Sequence, residues 1–138
     1  MTSGDSSRVR WFTPDEANAL LPTLLPLVGA LVERKGSLDA AERRRTRLLG
    51  RIAGNGGDIT PGDVAEVAGE VERAAAAVAE LVAEIQGHGV QVKDLDLGLL
   101  DFPWVREGEE VLLCWRLGED SVAFWHGTDE GYAGRKPL

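Results

Sequence analysis

The carboxylates of the last third of the chain are the residues whose types and spacing could do chemistry. Between Asp94 and Glu130 stand ten acidic residues and two basic ones, an excess equal to the net charge of the whole protein, −8. Asp94, Asp96, Asp101 and Asp129 lie close to glycines, and His126 comes three residues before Asp129. Carboxylates joined by one imidazole form a donor set for a divalent ion such as iron, manganese or zinc, or supply a general base. The expected metal set is Asp96, Asp101, His126 and Asp129, with Glu16 reaching in from the first helix. Asp94 and Asp96 would share a side of an extended segment. The competing reading is that these Asp residues cap turns through their own backbone.

Arg116 and Arg135 are candidate holders of an anionic group beside such a site. Trp125, with Trp104, Trp115, Phe102 and Phe124, could line a pocket for a flat ligand or fill the core under a sheet. Cys114 is the sole cysteine. It sits in Leu-Leu-Cys-Trp and reads as a small buried hydrophobe. With a two- or four-residue turn at Gly118, strand pairing puts His126 on the face of Leu113 and Trp115. Cys114 then falls on the opposite face with Arg116 and Trp125. That disfavours a Cys–His dyad and favours a carboxylate–His site; a three-residue turn would reverse the faces. His88, between two glycines, suits a helix end.

The elements that must position these groups divide the chain in two. Thr13-Pro14 with Glu16 is a capping box, and apolar residues then recur at helical steps to about residue 49. Pro22 and Pro26 interrupt the pattern and predict a kink or a separate short helix. Residues 54–57, Gly-Asn-Gly-Gly, form a turn. Thr60-Pro61 with Asp63 opens a second helix that ends at about residue 86, before Gly87 and Gly89. Beyond it the period changes to strands: 90–93, 99–105 with Pro103 implying an edge, 110–117 and 121–126. The expected fold is α+β, a long antiparallel helical hairpin packed on a three- or four-stranded antiparallel meander. Residues 1–10 read as a disordered tail, and residues 11–138 as a single domain, with the hairpin over 11–88 and the meander and C-terminal loop over 89–138.

Composition restricts the function classes. An acidic surface repels phosphate backbones and so disfavours nucleic acid, although Arg43, Arg44, Arg45 and Arg47 form a local basic run on the first helix;. No intrachain disulfide is possible with one cysteine, the N-terminus has no apolar signal core, and Pro or charge breaks the longest apolar stretches. These features point to a cytoplasmic protein that does not enter a membrane. The second helix, rich in Ala, would let another backbone approach, so a homodimer through the helices is expected.

Several segments carry a resemblance: F-T-P-D-E-A-N-A-L-L-P at the start, then K-D-L-D-x-G-L-x-D-F-P, L-C-W-R-L-G-E and F-W-H-x-x-D-x-G-x-x-G-R-x-P-L. From Trp11 onward the chain resembles a prokaryotic family known as domain of unknown function 2203. The resemblance implies no activity, substrate or cofactor. From the residues themselves the expected function is a metal- or small-ligand-binding domain, with metal-dependent catalysis as one form of it. The alternatives are a helical-hairpin interaction module and a nucleic-acid accessory protein.

Overall fold

Two threonines start the two helices by one device. The Thr13 hydroxyl accepts from the Glu16 N–H while Glu16 Oε1 accepts from the Thr13 N–H, and Thr60 and Asp63 repeat the exchange, each with proline at the first helical position;. In the computed structural model, which describes residues 9–54 and 58–138, α1 spans Pro14–Ala53 and α2 spans Pro61–Gln86. The two pack side by side. Three of the four turn residues expected at 54–57 lie outside the described residues, as does most of the expected tail.

Pro22 and Pro26 do not divide α1, which continues through both. They are one helical turn apart and both face solvent, while Leu21, Leu24, Val28 and Leu31 face the core. The carbonyls that lose a backbone donor therefore lie on the wet side, where water satisfies them at little expense. An 18-residue window of α1 reaches a mean hydropathy of 1.2, enough by length and composition for a membrane span. The sequence reading that Pro and charge break every such stretch is corrected on that count.

Five antiparallel strands follow in simple chain order: β1 Gln91–Asp94, β2 Leu99–Arg106, β3 Glu109–Arg116, β4 Phe124–Gly127 and β5 Lys136–Pro137. The fifth arises from the tail expected to be coil. It is pinned by Leu138 N–H donating to the Ala123 carbonyl at 2.9 Å. Pro103 lies in the second of five strands, yet β1 pairs only as far as Gln91 opposite Asp101. Past that point β2 has a free side, and Phe12 N–H donates there to the Pro103 carbonyl at 2.7 Å. The expected edge position thus holds locally. Arg10, placed in the tail by the sequence reading, is engaged: its guanidinium donates to the His88 carbonyl and lies over the Phe12 ring.

The sheet has two buried faces. Leu100, Phe102, Leu113 and Trp115 point at the hairpin and join its apolar stripe in one core. Phe12 meets Phe102 edge-on, with ring centres 5.3 Å apart;. The opposite face carries Asp101, Leu112, Cys114 and His126, also buried. Residues 128–135 cross beside that face and include a 3-10 turn at Tyr132–Gly134.

Candidate metal centre

Three neighbouring strands each contribute one group to the buried outer face. Asp101 on β2 is the register partner of Cys114 on β3, and Cys114 is the partner of Phe124 on β4. His126 is two residues along β4, opposite Leu112, and so shares the face of Cys114;. This corrects the separation expected from short turns. Strands β3 and β4 are joined by the seven residues 117–123, an odd count, which reverses the faces that a two- or four-residue turn would give.

Asn18 holds that connection in place. Its Oδ1 accepts from Val122 N–H at 2.7 Å, and its Nδ2 donates to the Val122 carbonyl at 3.1 Å and to the Pro14 carbonyl at 3.0 Å. Glu119 shapes the near end. Its carboxylate accepts from Arg116 N–H, and its carbonyl accepts from the Trp115 indole.

The donor atoms of Asp101, Cys114 and His126 all lie within 4.8 Å of one another. His126 Nε2 is 3.2 Å from Asp101 Oδ1, and both side chains are 3% exposed. The other ring nitrogen, Nδ1, lies 2.8 Å from the Gly127 carbonyl. A carbonyl only accepts, so that bond requires the proton on Nδ1. A neutral His126 then turns the Nε2 lone pair toward a carboxylate oxygen. Two acceptors at hydrogen-bond distance need a proton or a cation between them. Burial pushes the Asp101 carboxyl up from its ordinary 3.8, against the pull of His126 and Lys93;.

Cys114 is fully buried, and burial pushes its thiol up to about 11. Arg135 works against that shift, with Nη1 3.7 Å from Sγ. The same guanidinium pairs with Glu119 and stacks on Phe124, 3.9 Å from the ring centre. A thiol held so high is no nucleophile at neutral pH, and becomes a thiolate only with a stronger cation than Arg135. Beside the cluster a cleft of about 260 Å³ is lined by Asp101 and His126, with Lys93, Leu99, Glu130 and Tyr132 among its other walls. Cys114 is not among them.

The other residues named from the sequence fall elsewhere. Glu16 is occupied in the cap of α1. Asp96 pairs with Lys35 at 3.0 Å, and Asp94 Oδ1 accepts from the N–H groups of Asp96 and Leu97. For Asp94 the turn-capping reading holds, whereas the Asp96 carboxylate is used by the ion pair;. Asp129 is exposed in the turn after β4 and stands outside the three-residue cluster. Trp125 pairs with Leu113, packs toward the hairpin core, and is flanked by Arg106 and Lys136. Arg116 shares the outer face and reaches Tyr132 Oη at 3.5 Å. In the basic run, Arg44 pairs with Glu70 of α2. The sequence reading sets Cys114 aside on the shorter turn lengths and gives Lys93 and Glu119 no part in the site; the odd parity of the β3–β4 connection, which that reading leaves open, is what joins Cys114 to His126.

Fold and site define a class: an α+β domain in which a helical hairpin covers one face of a five-stranded meander and the other face buries an Asp–Cys–His cluster. Within that class the chain belongs to the family described as uncharacterized conserved protein (DUF2203), whose profile matches residues 10–138. No curated protein and no solved structure matches it.

Proposed function

We propose that this protein is a metal-binding domain whose ion is held by Asp101, Cys114 and His126, with a further coordination position turned toward the cleft. The observation that carries the reading is the Nε2–carboxylate contact. With Nδ1–H committed to the Gly127 carbonyl, His126 is oriented as metal-bound histidines are, its second nitrogen fixed by a backbone acceptor;. In a tetrahedral site with bonds of about 2.0–2.1 Å, neighbouring nitrogen and oxygen ligands stand about 3.3 Å apart. The separation here is 3.2 Å.

Charge favours the same assignment. A divalent ion with one carboxylate, one thiolate and a neutral imidazole forms a neutral unit, and Arg135 is already balanced by Glu119. The ion supplies the field that Cys114 needs to ionise. Of the three metals expected from the sequence, a thiolate ligand favours zinc or iron over manganese. Three protein ligands and an open position is the pattern of sites that bind or transform a small molecule.

Metal analysis of purified protein tests this. The expected result is about one equivalent of zinc or iron, lost in His126→Ala and in Cys114→Ser variants that remain folded. Protein that takes up no ion from a zinc, iron and cobalt series would sink the proposal.

One set of observations favours a second reading. Leu25, Leu49, Ile52 and Val64 are exposed on the hairpin. They suit the expected helical association with a second copy, for which light scattering is the measurement; a monomer at high concentration refutes it.

A further inference from the structure

A second cleft, of about 270 Å³, adjoins the first and shares Lys93, Leu112 and Thr128 with it. Val9 and Trp11 wall its far end, and Gln91, Pro103, Glu110 and Val111 also line it. The two clefts form one groove across the outer face of the sheet, running from Trp11 to the Asp101–His126 pair.

Trp11 is 42% exposed, which is unusual for so large an apolar side chain;. It is not left so by a loose backbone. Phe12 on one side is fixed to β2 through Pro103, and Arg10 on the other is fixed to the end of α2. The fold therefore holds an indole at the groove without covering it. At the junction stands Lys93, exposed and without an ion-pair partner among the described residues. Glu130, on the opposite wall, is engaged by Lys136 and Gly127 N–H.

We infer that the groove binds a small aromatic carboxylate, its ring against Trp11 and its anionic head between Lys93 and the open coordination position. This rests on the metal reading above. The metal with Asp101 and Cys114 is neutral as a unit, Glu130 is paired with Lys136, and Glu110 lines only the Trp11 end of the groove, so Lys93 is the positive charge that meets an anion at the open position;. The ring adds area on Trp11 and Pro103, which a purely polar ligand would leave wet.

The test uses cobalt-loaded protein and naphthalene-2-carboxylate, with the neutral naphthalene-2-carboxamide beside it. Cobalt uptake is measured first, in wild type and in Trp11→Ala, Trp11→Leu and Lys93→Gln, and is expected to be equal in all four. It reports both folding and the metal reading. The carboxylate is then titrated by calorimetry and by its effect on the cobalt absorption bands. The expected result is saturable binding that perturbs the bands, weakened about tenfold or more in each variant and for the amide, each tenfold being about 1.4 kcal/mol. Cobalt uptake without carboxylate binding overturns the ligand assignment and leaves the metal reading intact. Undiminished binding in the Trp11 variants or in Lys93→Gln also overturns it. Absence of cobalt uptake overturns both.

Discussion

Replacing Asn18 by Leu tests whether one amide on α1 sets the geometry of a site on the far face of the sheet. The Asn18 side chain answers both the N–H and the carbonyl of Val122, a residue that is 2% exposed. Leucine keeps the branched shape and removes both partners. Each buried backbone group left without a partner costs about 1–3 kcal/mol. Two such groups give about 3 kcal/mol after partial relaxation of the loop. Unfolding entropy scales with length, and for 138 residues it is about 0.3 kcal/mol per degree, so Tm should fall by about 10 °C;. Because the same connection sets the face of His126, metal affinity should fall as well, in protein that is still folded at the assay temperature. Asn18→Asp keeps the acceptor for Val122 N–H but sets a carboxylate against the carbonyls of Val122 and Pro14. Its loss should be similar at neutral pH and smaller in acid, where a protonated carboxyl can donate. Thermal and denaturant unfolding read the first effect, and metal titration reads the second. A Tm for Asn18→Leu within about 2 °C of wild type would refute the reasoning, since it would mean that Val122 finds other partners without expense.

Three further outcomes follow from single positions. Glu107 and Gly108 form a two-residue hairpin turn with φ of 51° and 81°, a conformation that non-glycine residues resist, so Glu107→Gly should raise stability by about 0.5–1 kcal/mol in denaturant melts; no gain would contradict the turn assignment;. Gly98 has φ of 68°, and a Cβ there would meet Leu117 Cβ and Val28 Cγ1 at 2.9 Å, so Gly98→Ala should lose about 2 kcal/mol or more, and a neutral effect would show that α1 yields easily;. In metal-free protein Asp101→Asn should be stabilising by about 1–2 kcal/mol at pH 8, because the amide can donate to His126 Nε2;. The sign follows from burial, which raises the folded pKa of Asp101 above its ordinary 3.8. The wild type's proton-bound stability is therefore full below that ordinary value and is lost as pH rises through the raised one, so the advantage of the Asn variant should vanish in acid. A wild type more stable than Asp101→Asn at pH 8 would show an imidazolium–carboxylate pair that needs no cation.

The helices were legible because their signals are local. A threonine, a proline and an acid within four residues write a helix start, and α2 ends at Gln86 where Gly87 and Gly89 stop the pattern;. The proline pair in α1 misled because its effect depends on which side is wet, and that is a property of the packing. The site was half legible. Asp101 and His126 were both named, and they meet. Asp96, Asp129 and Glu16 share their residue types but are used by caps, an ion pair and solvent, which composition does not distinguish. Cys114 was set aside on a turn length that the sequence leaves ambiguous, because Gly118 marks where β3 stops but not where β4 begins. One residue more or less in that connection moves His126 to the other face.

The most direct measurement is a cobalt titration of metal-free protein, followed by visible absorption and by thiolate charge transfer. With Asp101, Cys114 and His126 as ligands, the expected result is saturation at about one equivalent, with intense tetrahedral bands and a sulfur-to-cobalt transition that disappears in Cys114→Ser;. The contradicting result is no saturable spectrum, or a spectrum unchanged in Cys114→Ser and in His126→Ala.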